Sequence, residues 1–317
     1  MRIKTQLTAA LWCLIVSSIA CQEPSTVVSP IVKASPPETR ARSQRVHAAA
    51  ITVRFSNSGV EPGSQRLGYD RLRVSAVFAD ADRNDVHLLA ELIGPPLQVL
   101  PGQGLDRCVR SEGPWVGQGA LSTPSPRAYL QLLDVGNLSL QAGKKRLPLQ
   151  ISMVPSLFSA VRGVRYDGDV DYGRSWLAHG SLKLVGTGGD NIAPFDVKMP
   201  VPRPVRITHV GGLPSRRGLI TGLQDDREMT LRWGSVDGQA ELQIWIGAEQ
   251  GRGSDWIRCR LRDDGSFVVA PTLLQNLPRR SPRQPWLVVM VRSTQTAMPG
   301  FSGTPLRLEL IDSVRVM

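Results

Sequence analysis

The sequence predicts an all-β chain: two antiparallel β-sandwich domains behind a signal peptide and a disordered tether. Three observations predict this fold class. Short runs of alternating apolar and polar residues recur after residue 48. Gly, Pro, Asn and Asp separate these runs every 8 to 15 residues. No window repeats apolar residues at the period of a long amphipathic helix, so sandwiches or barrels are favoured.

Residues 1–20 are predicted to be a signal peptide. Arg2 and Lys4 give a cationic start, and an apolar run follows that is too short for the roughly 20 residues that cross a bilayer. The run ends in Ser18-Ile-Ala-Cys21. This ending fits a lipoprotein signal in which Cys21 is acylated. Its small residues also fit an ordinary secretory cleavage site, so secretion is the alternative.

Acylation of Cys21 would anchor the protein to a membrane of the bacterial cell envelope. In lipoproteins that this signal resembles, Asp after the cysteine favours inner-membrane retention, so Gln22 favours the outer membrane, on its periplasmic or surface side. Residues 21–48 are rich in Pro and Ser and poor in large apolar side chains. Because such a segment buries too little surface to offset its ordering entropy, we predict a disordered tether there.

The first predicted β-sandwich domain covers residues 49–200. Its strands are predicted at 51–55, 72–78, 86–92, 128–132, 138–140, 147–151, 161–166 and 181–185. The proline-rich segment 194–204 is predicted to be a stiff, extended crossing into a second domain.

The second predicted β-sandwich domain covers residues 201–317, and its alternation is clearer. Met229, Leu231 and Trp233 share one face of a strand, with Arg232 on the other, so Trp233 is predicted to be a core residue. Further strands are predicted at 242–246, 256–261, 267–269, 286–291 and 306–316, with a short helical turn at 272–277.

About 100 residues of this second domain resemble a fibronectin type III or immunoglobulin-like sandwich. The motifs are Leu231-Arg-Trp233, Leu242-Gln-Ile-Trp-Ile246, Leu277-Pro278 and Pro285-Trp-Leu-Val-Val-Met-Val291. In this resemblance Trp233 takes the place of a core Trp on the second strand, whereas Trp286 or Leu287 stands where such domains usually carry a core Tyr. The whole chain also resembles uncharacterised bacterial lipoproteins of β-sandwich domains, which implies a location and a fold but no activity.

The basic composition does not indicate nucleic-acid binding. The formal charge is +11 and becomes +9 once Arg2 and Lys4 leave with the signal, but the basic residues do not cluster. Arg258 and Arg260 alternate with apolar residues, which predicts the solvent face of one strand. The expected partners are the membrane, through the lipid anchor, and an envelope protein or polysaccharide. No cofactor is predicted.

Two cysteines lie outside the predicted signal and lipidation site. Cys108 and Cys259 would share an oxidising compartment, where a disulfide can persist. Their separation of 151 positions, across the predicted domain boundary, favours two separate buried thiols over a bridge. Cys259 has apolar neighbours at alternate positions, so it is expected to face a core.

No catalytic residue is predicted. Asp167, Asp169 and Asp171 place three carboxylates at alternate positions and are weak calcium candidates, but the residues around them fit a solvated acidic loop better. Asp80 to Asn84 is similarly interpreted as a polar hairpin turn. The four histidines lie far apart, without a metal-ligand spacing.

We therefore expect a non-catalytic envelope lipoprotein with a binding or structural role. Two alternatives stay open. One is a carbohydrate-binding module, for which Tyr166, Tyr172 and Trp176 beside the acidic segment are candidate stacking residues, although packing in the sandwich is favoured for them. The other is a secreted polysaccharide hydrolase, which would need two carboxylates facing each other across a cleft.

Overall fold

The computed structural model is built almost wholly of strands, which confirms the all-β fold class. It describes residues 45–56, 71–83, 86, 89, 104–111, 130–154, 161–171, 173–189, 192–223, 228–234, 236–238, 240–248, 256–281, 284–301 and 305–317. The predicted signal peptide, Cys21 and most of the predicted tether lie outside these residues.

The strands of the N-terminal half are β1 (Arg45–Ser56), β2 (Arg71–Asp82), β3 (Arg107–Ser111), β4 (Leu130–Leu132), β5 (Leu138–Ala142), β6 (Lys145–Pro148), β7 (Gln150–Val154), β8 (Val161–Asp171), β9 (Ser181–Gly186) and β10 (Phe195–Pro200). A four-residue helix, α1 (Arg174–Leu177), follows β8. Strand β1 begins inside the segment that we predicted as tether, because residues 45–48 pair with the end of β2.

The strands of the C-terminal half are β11 (Arg206–Val210), β12 (Leu213–Pro214), β13 (Leu219–Ile220), β14 (Met229–Gly234), β15 (Glu241–Ala248), β16 (Trp256–Leu261), β17 (Ser266–Val269), β18 (Trp286–Thr296) and β19 (Leu306–Val316). The helical turn predicted at 272–277 is present as α2 (Pro271–Leu274).

One large sheet joins strands from both halves of the chain. Its order is β3-β16-β15-β18-β19-β1-β2-β4-β8-β7, and β13 also pairs with β19. Most pairs are antiparallel, but β1 runs parallel to β19, with Arg54 opposite Glu309. The strands on either side of residue 200 are therefore hydrogen-bonded to one another, and the division into two domains there stays a prediction.

Two smaller sheets cover the same side of the large sheet. The sheet β10-β9-β5-β6 encloses a core with β1, β2 and β8, centred on Phe55, Phe78 and Tyr166. The sheet β12-β11-β14-β17 encloses a second core with β15, β16 and β18, which contains Trp233 and Cys259. Strand β19 serves both cores, because Leu306, Leu308 and Leu310 enter the first and Val314 and Val316 the second.

The predicted alternation of β14 is confirmed. Met229, Leu231 and Trp233 are buried in the second core, while Arg232 on the opposite face is exposed. Strand β15 differs from the prediction, because both its faces are buried. Trp245 packs on the other face, in a cluster with Trp256 and apolar residues of β18 and β19. A strand buried on both faces loses the alternation that would identify it from sequence.

Three sequence predictions are wrong. Val86 and Leu89 were predicted in a strand, but Leu89 is helical and its amide donates to the Val86 carbonyl at 3.2 Å. Asp80, predicted in a hairpin turn, is part of β2, where it pairs with His47 of β1. Arg258 was predicted on a solvent face, but it is only 6% exposed.

Candidate functional site

A cleft of about 720 Å³ lies where the segment after β10 crosses the ends of strands β15, β16 and β18. A volume of this size is within the range of small-molecule sites. The lining residues combine both charge signs with hydroxyl, amide and proline groups: Pro200, Val201, Pro202, Asp237, Glu241, Arg260, Ser293, Thr294 and Gln295. The sequence singled out segment 194–204 as a crossing between domains and Arg260 as a solvent-facing residue, but it predicted no site at these residues.

The proline-containing wall of the cleft is fixed at two points, to the residue before β9 of one small sheet and to β18 of the large sheet. On one side, the Val201 amide donates to the Gly180 carbonyl at 3.1 Å. On the other, the Thr294 hydroxyl of β18 donates to the Pro200 carbonyl at 3.3 Å. Prolines restrict the backbone of this segment further, because each ring fixes φ. The wall is therefore formed before any ligand arrives.

A buried ion pair helps to hold the same proline-containing segment in place. The Arg292 and Asp263 side chains are 0% and 1% exposed, with Arg292 Nη2 2.8 Å from Asp263 Oδ2. Arg292 Nη1 also donates to the Arg203 carbonyl at 2.6 Å. Asp263 accepts further hydrogen bonds from Trp233 Nε1 at 2.8 Å and from the Asp237 amide at 2.9 Å. The network ties the crossing segment and the turn at Asp237 to the second core.

Glu241 and Arg260 form the charged centre of the cleft. Glu241 Oε1 accepts a hydrogen bond from Gln243 Nε2 at 2.7 Å and lies 3.5 Å from Arg260 Nε. Their side chains are 19% and 34% exposed, so both can meet a ligand. Next to them, burial lowers the pKa of Arg258, and the charge of Glu241 partly opposes this shift. The cleft thus presents donors and acceptors, and its charged side chains are the carboxylates of Asp237 and Glu241 and the guanidinium of Arg260.

The three predicted calcium candidates do not lie in a loop. Asp167, Asp169 and Asp171 share one face of β8, inside a sheet, and basic partners hold two of them. Arg71 forms a short bidentate contact with Asp169. Arg165 Nη2 lies 2.8 Å from Asp167 Oδ1. The solvated acidic loop was wrong because these aspartates lie in a paired strand, where Arg165 of β8 itself and Arg71 of the neighbouring β2 neutralise two of them.

Among the described residues, no group of three or more His, Cys, Asp or Glu side chains could hold a metal ion. The described histidines stay apart. His47 lies exposed on β1, His179 is exposed after α1, and His209 is on β11, whereas His87 lies outside the described residues.

Cys108 and Cys259 are joined in a disulfide, so the preference for two separate thiols was wrong. They lie directly opposite each other on β3 and β16, with Cα atoms 4.0 Å apart. The sequence hid this pairing because β3, although early in the chain, adds to the edge of the C-terminal strands. Cys259 is fully buried in the second core, as predicted.

The aromatic residues beside the acidic strand are packed inside, as favoured. Tyr166 is fully buried, and its hydroxyl donates to Asp134 Oδ1 at 2.6 Å and accepts from the Val135 amide at 2.9 Å. Burial and the hydrogen bond to Asp134 raise the pKa of Tyr166. Trp176 is 5% exposed, and Tyr172 lies outside the described residues. Neither Tyr166 nor Trp176 offers a surface for stacking a sugar.

Neither a known family model nor a curated protein sequence matches the chain. In the part of the chain that the structure describes, no helix has the length and apolar character needed to cross a membrane.

Proposed function

We propose that this protein is an envelope lipoprotein that binds a polar ligand, without catalysis, in the cleft around Glu241 and Arg260. The observation that carries the proposal is the cleft itself. It has a wall fixed by hydrogen bonds and a lining of paired charges, hydroxyls and an amide. A preformed wall favours binding because little ordering entropy is lost when the ligand arrives.

The lining favours a neutral ligand rich in hydroxyl groups, such as an envelope polysaccharide. Glu241 supplies acceptors, Arg260 supplies donors, and the hydroxyls of Ser293 and Thr294 can do both. Pro200 adds apolar ring surface at the same cleft. Because the two central charges oppose each other, a strongly charged ligand gains less here than one with many hydrogen-bonding groups.

The fibronectin type III or immunoglobulin-like character of the C-terminal strands belongs to this proposal. The strands of this region are counted without the two-residue strands β12 and β13. The first, second and fifth strands, β11, β14 and β17, then form one sheet. The third, sixth and seventh, β15, β18 and β19, lie together in the other sheet, as in immunoglobulin folds. The buried Trp233 on the second strand also supports it. Because such a fold hosts many unrelated functions, the likeness supports the architecture only, and the cleft carries the binding proposal.

The proposed location in the cell envelope rests on the N-terminal sequence that ends at Cys21. Metabolic labelling with a fatty-acid analogue is expected to mark the wild-type chain and not the Cys21→Ser variant. Equal labelling of both would place the acyl group at another residue, and labelling of neither would favour secretion without an anchor.

Ligand binding is tested on an array of envelope glycans that includes lipopolysaccharide and peptidoglycan fragments. Glu241→Gln is expected to weaken binding to the retained glycans at least tenfold. The control is Glu228→Gln, since Glu228 is exposed and does not line the cleft. The site is refuted if no glycan on the array binds, or if both variants bind equally well. Shortening of a bound glycan during incubation would instead indicate a hydrolase.

A further inference from the structure

Strand β7 is the most exposed apolar strand of the described fold. It ends the large sheet, with β8 on one side and no described strand on the other. Gln150, Ile151, Ser152 and Met153 are all exposed, and the exposed fractions of Ile151 and Met153 are 50% and 74%. These two apolar residues lie on one face, opposite Tyr166 and Val164 of β8.

Edge strands of soluble proteins are usually protected against pairing with other chains by charged residues or proline. The opposite edge of the same sheet follows this rule, because β3 exposes Arg107 and Arg110. Strand β7 contains no charged residue and no proline. Among the described residues, one edge of the sheet is therefore protected and the other has no strand paired beyond β7.

We propose that β7 pairs antiparallel with β7 of a second copy of this chain. A two-fold axis at Ser152 would place Ile151 of each copy opposite Met153 of the other, and Gln150 opposite Val154. The two symmetry-related Ile151–Met153 pairs then fall on the same face of the joined sheet, since residues that differ by two positions share a face. Cross-strand apolar pairs of this kind stabilise antiparallel sheets.

The sequence of β7 favours a second copy over an unrelated strand. A pairing of identical strands brings equal charges together, and the formal charge of +9 that is left when Arg2 and Lys4 leave with the signal would normally oppose this. Strand β7 avoids the repulsion because it is uncharged. Its two exposed apolar residues, Ile151 and Met153, are placed symmetrically about Ser152 and so complement themselves, as an interface with two-fold symmetry requires.

The test is disulfide cross-linking of the full chain in intact cells, where an exported Ser152→Cys residue would face its own copy. Ser152 is exposed, so the substitution is compatible with folding. Non-reducing electrophoresis is expected to show most of this variant as a covalent dimer. The matched control is Val268→Cys, which places an equally exposed cysteine on β17, where Val268 is 47% exposed. The control is expected to stay monomeric, as is the wild type.

A second variant separates specific pairing from random collision. Adding Ile151→Lys to Ser152→Cys would place a lysine opposite Met153 and is expected to reduce the dimer at least tenfold. Sedimentation of the full chain in detergent is expected to give a dimer for the wild type and a monomer for Ile151→Lys. A monomeric wild type, equal cross-linking by Val268→Cys, or a cross-link to a different protein would each overturn the proposal.

Discussion

The ion pair between Arg292 and Asp263 gives the sharpest test of how the cleft is supported. Replacing Asp263 by Ala removes an acceptor that holds three donors: the Arg292 guanidinium, Trp233 Nε1 and the Asp237 amide. The guanidinium is 0% exposed, so it would be left as an unpaired buried charge. Breaking one partner of a buried pair in this way costs about 3–5 kcal/mol.

The measurement is the free energy of unfolding in urea, followed by tryptophan fluorescence, for Asp263→Ala and a neighbouring control. The control is Asp264→Ala, because Asp264 is exposed and accepts only a long hydrogen bond of 3.3 Å from the Ser266 amide. Its loss is expected to be at most about 1 kcal/mol. The double variant Asp263→Ala with Arg292→Met should lose less than the sum of the single losses, since no buried charge is then left unpaired.

Similar losses for the Asp263 and Asp264 variants would refute the reasoning, because the buried network would then contribute no more than a surface turn. Strict additivity of the double variant would also refute it. That result would mean that Arg292 and Asp263 stabilise the fold independently.

Three further predictions concern stability. Trp233→Ala is expected to lower the free energy of unfolding by about 3–5 kcal/mol, and Arg232→Ala by less than about 0.5 kcal/mol, measured by denaturant unfolding. Comparable losses for the two variants would show that the register of β14 is wrong. Removing the disulfide with Cys108→Ala and Cys259→Ala should lower the unfolding free energy by about 5 kcal/mol on loop-closure entropy, whereas an unchanged midpoint would contradict its role. The raised pKa of Tyr166 keeps its phenol protonated in the fold, while an unfolded tyrosine ionises near pH 10. Stability should therefore fall above about pH 10 more steeply in the wild type than in Tyr166→Phe, and parallel curves would argue against it.

The sequence determined the all-β class because that class depends on local order. Alternation at Met229, Leu231 and Trp233 placed the core face of β14 correctly, since side chains of a strand alternate whatever it packs against. The strands β18 and β19 and the turn at α2 were also located, although both strands are buried on both faces. In each case the residues that decide the outcome are neighbours in the chain.

Only the tertiary structure decided which strands lie side by side. The parallel pairing of β1 with β19, the disulfide between Cys108 and Cys259 and the contacts of Asp169 with Arg71 all join residues from distant parts of the chain. The cleft depends on the same long-range order, because Pro200 meets Glu241 and Thr294 only after three strands and a crossing segment have packed. Burial and partners are properties of the packed fold, so local alternation could predict the strands but not what each would face.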